Sequence, residues 1–279
     1  MKKISLIALD MDGTLFDSYL NISPGNQQAI RNAISAGKEV IISTGRPYHH
    51  IPIDLLAGLG VHYAITVNGA ALYTLPGKEC IFESCIPYDV FLPIIQKLQK
   101  YDIIVHIFLD GYAFSQRSKH SVIDNMKISD RSKKFLLEAG ETVEDLAAFL
   151  EERHCPVQKA SVNFYPLADG TYKDFYEVSD YLCSHPMLSV ASGGYHNLEF
   201  TLKGLSKATG LAYLAHKLGL SMEQTMAIGD SENDLDIIAS AGVGVAMANA
   251  EPCLKEKADF ITLSNDEDGV AYALRKFAE

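Results

Sequence analysis

Short apolar runs alternate with amphipathic segments near the beginning of the chain. The run Ile4 to Leu9 is almost continuously apolar, as expected of a strand buried on both faces of a parallel sheet. Ser23-Pro24 then provides a helix N-cap and a first-turn proline, and Gly37 ends the predicted helix. Apolar runs at Val40 to Ser43 and Tyr63 to Val67 predict two more buried strands. This order indicates βαβ units and a parallel sheet.

From about residue 85 the pattern changes to a mixture of helices and strands that does not follow the βα alternation. The last predicted strands of this block are Leu188 to Ser192 and Asn197 to Leu202. The alternation then resumes with a helix from Lys207 and a strand from Thr225 to Ile228. The middle block is therefore interpreted as an insertion into an α/β domain.

The predicted fold class is α/β, with a Rossmann-like parallel-sheet core formed by both chain ends and an inserted α+β cap domain. A chain of 279 residues is long enough for two domains of ordinary size. The predicted bounds are 1–84 for the first part of the core, 85–195 for the insertion and 196–279 for the second part of the core.

Composition excludes several classes of protein. Hydrophobic residues make up 48% of the chain and charged residues 21%, as in ordinary globular proteins. The net charge of −11, without a cluster of Lys and Arg, argues against a nucleic-acid partner. No apolar stretch approaches the length of a membrane span, and Asp10 and Asp12 interrupt the first apolar run too early for a signal peptide. Five cysteines without CxxC spacing favour free thiols in a cytoplasmic protein.

Two acidic residues directly follow the first predicted strand, in the segment Leu9-Asp10-Met11-Asp12-Gly13-Thr14-Leu15. Ligands bind at the carboxyl ends of strands in open α/β sheets. Neighbouring carboxylates repel one another unless a cation relieves them, and Mg²⁺ prefers oxygen ligands and often keeps substrate phosphate in its shell. One carboxylate could then act as nucleophile and the other as general acid and base. The alternative is that both acids cap a turn.

Three later segments contain further polar residues at helix or strand ends. Thr44 and Gly45 follow the second predicted strand and could hold a phosphoryl oxygen, although Ser/Thr/Gly turns are common there. Lys207 opposes the helix dipole in a first helical turn, which indicates a need for positive charge, but most lysines are simply exposed. Asp230 follows another strand and is a metal-ligand candidate, whereas Asp234 could instead cap the next helix.

Together, these four segments resemble the four motifs of the haloacid dehalogenase superfamily of phosphohydrolases, and especially its Cof-type branch with a C2B-type cap. The resemblance covers nearly the full chain and includes Val67-Asn68-Gly69-Ala70 and Ala246-Met247-Ala248-Asn249-Ala250. It implies a Mg²⁺-dependent phosphatase that hydrolyses a small phosphorylated metabolite, such as a sugar phosphate, through an aspartyl phosphate. The chain departs from the family at Ala208 and Ala248, where the family usually has glycine.

The resemblance also implies roles for individual residues. It assigns catalysis to Asp10 as nucleophile, Asp12 as general acid and base, and Lys207 as the neutralising cation. It assigns phosphate binding to Thr44, Gly45, Lys207 and Asn233, and Mg²⁺ binding to Asp10, Asp12 (through its backbone carbonyl), Asp230 and Asp234. Apart from the resemblance, some residue of the inserted domain or of its predicted end must face the substrate, and Arg117 or His196 could do so.

Two other functions are compatible with these motifs. A phosphomutase or phosphotransferase would pass the phosphoryl group to an acceptor other than water. A non-catalytic phosphate-binding protein would retain the site but would not need Asp12 beside the nucleophile. The sequence identifies neither the substrate nor the choice between a monomer and a homodimer.

Overall fold

The computed structural model describes residues 3–138, 140–193 and 197–278. The chain divides into two compact units. The core unit contains the described residues up to Glu83 and those from Ser206 onwards, and the inserted unit is Ser84–Leu205. The core unit thus resumes at Ser206 and not at residue 196, because the strand Asn197–Leu202 pairs within the sheet of the inserted unit.

The strands include all those that the apolar runs predict, with ends shifted by a few residues. The strands of the described residues are β1 Leu6–Leu9, β2 Glu39–Ser43, β3 Tyr63–Thr66, β4 Ala71–Thr74, β5 Cys80–Glu83, β6 Ile103–Leu109, β7 Tyr112–Gln116, β8 Glu141–Val143, β9 Lys159–Phe164, β10 Leu188–Gly193, β11 Asn197–Leu202, β12 Thr225–Gly229, β13 Val243–Ala246 and β14 Phe260–Ile261.

The helices follow the amphipathic segments between these strands. The α-helices of the described residues are α1 Pro24–Ser35, α2 Ile53–Gly58, α3 Tyr88–Leu98, α4 Ser121–Asn125, α5 Asp130–Glu138, α6 Leu146–Arg153, α7 Phe175–Cys183, α8 Lys207–Lys217, α9 Leu235–Ser240, α10 Pro252–Lys257 and α11 Gly269–Phe277. Within the described ranges, none of them is both long enough and apolar enough to cross a membrane.

The core unit is built on an eight-stranded sheet with the order β14-β13-β12-β1-β2-β3-β4-β5. The strands from β14 to β3 pair in parallel. The pairings of β3 with β4 and of β4 with β5 are antiparallel. Leu9 lies opposite Ile42 of β2 on one side and Ile228 of β12 on the other. The loops after these three strands therefore begin side by side, at the edge of the sheet where open α/β folds bind ligands. This architecture confirms the predicted fold class.

The first predicted helix illustrates how local sequence positions these strands. Ser23 is the N-cap of α1, and its hydroxyl oxygen accepts a hydrogen bond from the Asn26 backbone N–H at 3.1 Å. Pro24 occupies the first helical position, where a missing N–H is harmless. Ala29 and Ile30 face the core, and Gly37 follows the helix with φ +79°, a conformation that suits glycine.

The inserted unit contains a six-stranded sheet with the order β10-β11-β9-β6-β7-β8. Its pairings are antiparallel except between β7 and β8. Side chains of α3, α6 and α7, such as Phe91, Leu150 and Leu182, share a buried cluster with one face of this sheet. The predicted connection of β10 to β11 through Gly193-Gly194 lies partly outside the described residues.

Candidate active site

The loops that follow β1 and β12 are in direct contact. Gly13 has φ +78°, and a Cβ at this position would lie 2.3 Å from Oδ2 of Asp230. Thr14 donates a hydrogen bond from Oγ1 to Oδ1 of Asp230 at 3.2 Å. Glycine is required at position 13 both for its backbone conformation and for this close approach.

Three of the predicted metal ligands converge between these loops. Carboxylate oxygens of Asp10, Asp230 and Asp234 lie within 4.8 Å of one another, and Asp10 and Asp234 are buried. Burial raises the pKa of Asp10 well above its ordinary value, an effect that Lys207 opposes and the other two carboxylates reinforce. Burial and the charge of Asp234 raise the pKa of Asp230 to about 6.

Lys207 is the cation of this cluster and is completely buried. Its Nζ lies 2.7 Å from Oδ1 of Asp10, 2.7 Å from Oδ1 of Asp234 and 3.1 Å from Oδ1 of Asn233. Burial alone would lower the pKa of Lys207, but the two carboxylates raise it above its ordinary value. The alternative of an exposed surface lysine is therefore wrong. The first turn of α8 places this charge against the proposed nucleophile.

The charge balance of this cluster tests whether a divalent cation fits. Three carboxylates and one ammonium group carry a formal net charge of −2 when all are ionised. A buried excess of negative charge is unfavourable unless it is compensated. A single Mg²⁺ ion would neutralise it, and carboxylate oxygens are the ligands that this hard cation prefers. The residues present therefore fit the predicted cofactor.

Asp234 stabilises its own loop. Its Oδ2 accepts hydrogen bonds from the backbone N–H groups of Asp230 at 3.1 Å and Ser231 at 3.3 Å, while its Oδ1 pairs with Lys207. Within the described residues, its side chain makes no capping hydrogen bond to α9. Asp234 stands at the position directly before α9, as the N-cap interpretation requires, but its side chain does not do the capping there. The Asp234 side chain belongs instead to the capping box of the turn Glu232–Asp234, in which Ser231 is the N-cap.

The loop after β2 contains the predicted phosphate ligands. Thr44 is buried, and its Oγ1 accepts a hydrogen bond from the Arg46 backbone N–H at 3.2 Å. With this lone pair in use, the hydroxyl can donate its hydrogen to an anion. Gly45 lies between these two residues. The segment follows β2, which pairs with β1, the strand that Asp10 follows.

Arg46 contacts Asp12, a role that sequence reasoning missed. Its Nε donates to Oδ2 of Asp12 at 2.8 Å, and a second guanidinium nitrogen donates to Oδ1, so the pair is bidentate. The guanidinium also donates to the backbone carbonyl of His50 at 3.1 Å and lies over the ring of Phe16. Such a fork fixes the orientation of a carboxylate. The position of Arg46 at a strand end was the only signal.

Asn249 is a second residue of the site to which sequence reasoning assigned no function. Its Nδ2 donates to the backbone carbonyl of Gly13 at 2.8 Å, and its Oδ1 accepts from the Asn265 backbone N–H at 3.0 Å. Asn249 thus ties the loop that carries Asp10 and Asp12 to two later segments of the chain.

The two candidates from the inserted unit are placed differently. Arg117 is exposed, and its Nε lies 3.3 Å from Oε1 of Glu144, so the structure gives it a surface ion pair. His196 lies outside the described residues. Their proposed contact with the substrate stays a prediction.

Known proteins share both the sequence pattern and the fold. Residues 7–274 match the model of the haloacid dehalogenase-like hydrolase family. A 5-amino-6-(5-phospho-D-ribitylamino)uracil phosphatase of Bacillus subtilis is 34% identical, over 98% of this chain and 95% of the relative. A second Bacillus subtilis phosphatase is 30% identical, over 98% and 99%. The solved structure of a haloacid dehalogenase-like hydrolase from B. subtilis superimposes with a TM-score of 0.83 at 27% identity, covering 99% of both chains.

The family match extends over most of the chain, and the relatives align almost from end to end. The motifs on which the resemblance rests are the same segments that meet at the carboxyl edge of the core sheet. The chain belongs to the haloacid dehalogenase-like hydrolases, in the Cof-type branch, and is a phosphoric monoester hydrolase.

Proposed function

We propose that this chain is a Mg²⁺-dependent phosphatase that hydrolyses a small phosphorylated metabolite, a sugar phosphate or a similar phosphomonoester, through an aspartyl phosphate on Asp10. The observation that carries the proposal is the cluster of Asp10, Asp230 and Asp234, in which the buried Lys207 ammonium group pairs with Asp10 and Asp234. The cluster combines a nucleophile, metal ligands and a cation that can neutralise the phosphoryl group, and phosphoryl-transfer enzymes need these three groups.

The metal site would use the side chains of Asp10, Asp230 and Asp234 together with the backbone carbonyl of Asp12. When bound, Mg²⁺ supplies positive charge to the phosphoryl oxygens and orients them. Removal of the ion with EDTA should abolish turnover, because the cluster then repels an anionic substrate.

The chain's own residues supply the remaining steps. Lys207 occupies Oδ1 of Asp10, so the second carboxylate oxygen attacks phosphorus while the bond to the leaving oxygen breaks. Arg46 orients the Asp12 carboxyl group, which, once protonated and released from Arg46 on one oxygen, donates its proton to the leaving oxygen. Asp12 then takes a proton from water, whose oxygen attacks phosphorus and displaces the Asp10 carboxylate. Thr44 and Lys207 stabilise the phosphoryl charge in both transfers.

The substrate class is proposed from the relatives. One relative is named for a ribityl phosphate ester, and this chain aligns with 95% of it. A phosphate ester of a polyhydroxylated chain or sugar is therefore the first class to test. A cytoplasmic location and a monomeric or homodimeric state stay predictions.

The function is tested by measuring products from a panel of phosphorylated metabolites, with Mg²⁺ and with EDTA. We expect inorganic phosphate to appear in the Mg²⁺ samples alone. An isomeric phosphate ester without free phosphate would instead identify a phosphomutase. Saturable binding without any Mg²⁺-dependent product would identify a phosphate-binding protein and contradict the proposal.

Mg²⁺ should stabilise this protein more strongly above pH 6 than below it. The raised pKa of Asp230, about 6, means that the metal-free protein loses stability as the pH rises through this value, because the folded state then holds an additional buried charge. Metal binding requires that ionised carboxylate. The increase in Tm on adding Mg²⁺ should therefore be larger at about pH 7.5 than at about pH 5. An increase at about pH 5 that equals or exceeds the one at about pH 7.5 would contradict the proposed metal site.

A further inference from the structure

Three consecutive residues after β3 adopt left-handed backbone conformations: Val67 at φ 46°, Asn68 at φ 58° and Gly69 at φ 95°. A β-branched residue such as valine is rarely found in this region. Strained backbone of this kind persists only where the surrounding structure holds it, and it concentrates at functional sites. The Val67 side chain is fully buried, so the turn is part of the packed core unit.

This turn fits closely between two segments of the candidate site. The Asn68 backbone N–H donates to the carbonyl group of Thr44 at 3.2 Å. On the other side, a Cβ at Gly69 would lie 1.9 Å from the carbonyl oxygen of Ser206, the residue before Lys207. The strained turn therefore places the Asn68 side chain at a position defined by both the phosphate-binding loop and the start of α8.

The donors and acceptors around Lys207 fix the orientation of two amide side chains. An ammonium group only donates, so the Asn233 atom at 3.1 Å from Nζ is the oxygen Oδ1. The Asn233 amide nitrogen is then directed at Asn68, where it donates to Oδ1 at 3.2 Å. Ser231 donates a further hydrogen bond from Oγ to the same Asn233 oxygen, at 3.0 Å.

We infer that Asn68 is a positioning residue of the active site. By accepting the hydrogen bond from Asn233, it keeps the carboxamide oxygen of Asn233 on Lys207. The lysine then has acceptors for all three of its hydrogens and stays between Asp10 and Asp234. This inference rests on the proposed function, in which Lys207 carries the charge of the transferred group.

A double-mutant cycle between Asn68 and Asn233 tests the inference. Asn68→Gly removes the acceptor but retains a residue that tolerates the left-handed turn. It should lower kcat for p-nitrophenyl phosphate by about tenfold, the size expected when a supporting hydrogen bond is lost, with a smaller change in KM. In the Asn233→Ala background, Asn68→Gly should lower kcat by less than about twofold, because the Asn233 amide that Asn68 accepts from is already absent.

Asn68→Asp is the matched control, since it keeps an acceptor oxygen and also tolerates the left-handed conformation. It should restore most of the kcat that Asn68→Gly loses. Equal losses from Asn68→Gly in the wild-type and Asn233→Ala backgrounds would overturn the inference, because Asn68 would then act independently of Asn233.

Urea unfolding midpoints of the wild type, Asn68→Gly, Asn233→Ala and the double variant give a readout that does not depend on activity. The midpoint shifts of Asn68→Gly and Asn233→Ala should be non-additive, because both remove the same hydrogen bond. Additive shifts would overturn the inference. If the wild-type protein hydrolyses no phosphate ester, the proposed function fails, while these midpoints still decide whether Asn68 positions Asn233.

Discussion

Replacing Asp10 by asparagine should lower the turnover of p-nitrophenyl phosphate by about 10⁴-fold or more, as expected for removal of a covalent nucleophile. The carboxamide is nearly isosteric with the carboxylate, and its oxygen can still accept a hydrogen bond from Lys207. The variant should therefore fold normally. Turnover that stays within about tenfold of the wild-type rate would contradict an aspartyl phosphate on this residue.

The stability of Asp10→Asn provides an independent check. The substitution removes one of three clustered carboxylates, and burial disfavours the charged form of Asp10. The metal-free variant should thus unfold at the same temperature as the wild-type protein or about 2–4 °C above it. Asp54→Asn, at an exposed position of α2 in the same unit, is a matched control that should leave turnover unchanged.

Replacing Lys207 by methionine should lower both activity and stability. The substitution leaves the buried carboxylates of Asp10 and Asp234 without their shared cation, and removing one partner of a buried ion pair typically costs about 3–5 kcal/mol. Turnover should fall by about 10²–10³-fold, because the charge that stabilises the transferred group is lost. Urea unfolding and p-nitrophenyl phosphate hydrolysis measure the two effects.

The control for this variant lies on the same helix. Lys217 is exposed at the last position of α8, so Lys217→Met should change stability by less than about 0.5 kcal/mol and leave activity intact. Similar unfolding midpoints for Lys207→Met and Lys217→Met would contradict the buried pairing. Asp10→Asn and Lys207→Met should both inactivate the enzyme, but they should differ in the direction of their effect on stability.

Some strands and one domain boundary were not predicted correctly from the sequence pattern. The three-residue strand β8 of the inserted unit was not predicted, because it is short and its pairing with β7 joins residues far apart in the chain, such as Phe114 and Glu141. The strand β7 was missed although Asp110-Gly111, the turn of its hairpin with β6, is a signal in the local sequence. The strand β11 was predicted as part of the middle block, but the predicted domain boundary at residue 195 separated it from that block. Its apolar pattern cannot specify which sheet it joins, and its pairing with β9 and β10 does so.

The candidate site shows the same division at the level of single residues. Asp10, Asp12 and Asp230 were predicted to be functional because they follow buried strands, and this position is readable from local sequence. The bidentate contact of Arg46 with Asp12 was not predictable, because it depends on the rotamers and loop geometry of two segments. The same holds for Asn68, whose partner Asn233 lies 165 residues away in the chain.

The sequence by itself determined where buried strands end, that acids and a hydroxyl follow them, and which superfamily the motifs resemble. These features are local, since they follow from the spacing of apolar residues and from the chemistry of neighbouring side chains. Only the tertiary structure decided that Lys207 is buried against Asp10, 197 residues away, and that the Asp234 side chain supports its own loop and makes no capping hydrogen bond to α9. The physical reason is that strand order brings distant loops to one edge of the sheet, and only there do burial and mutual charge set the state of each group.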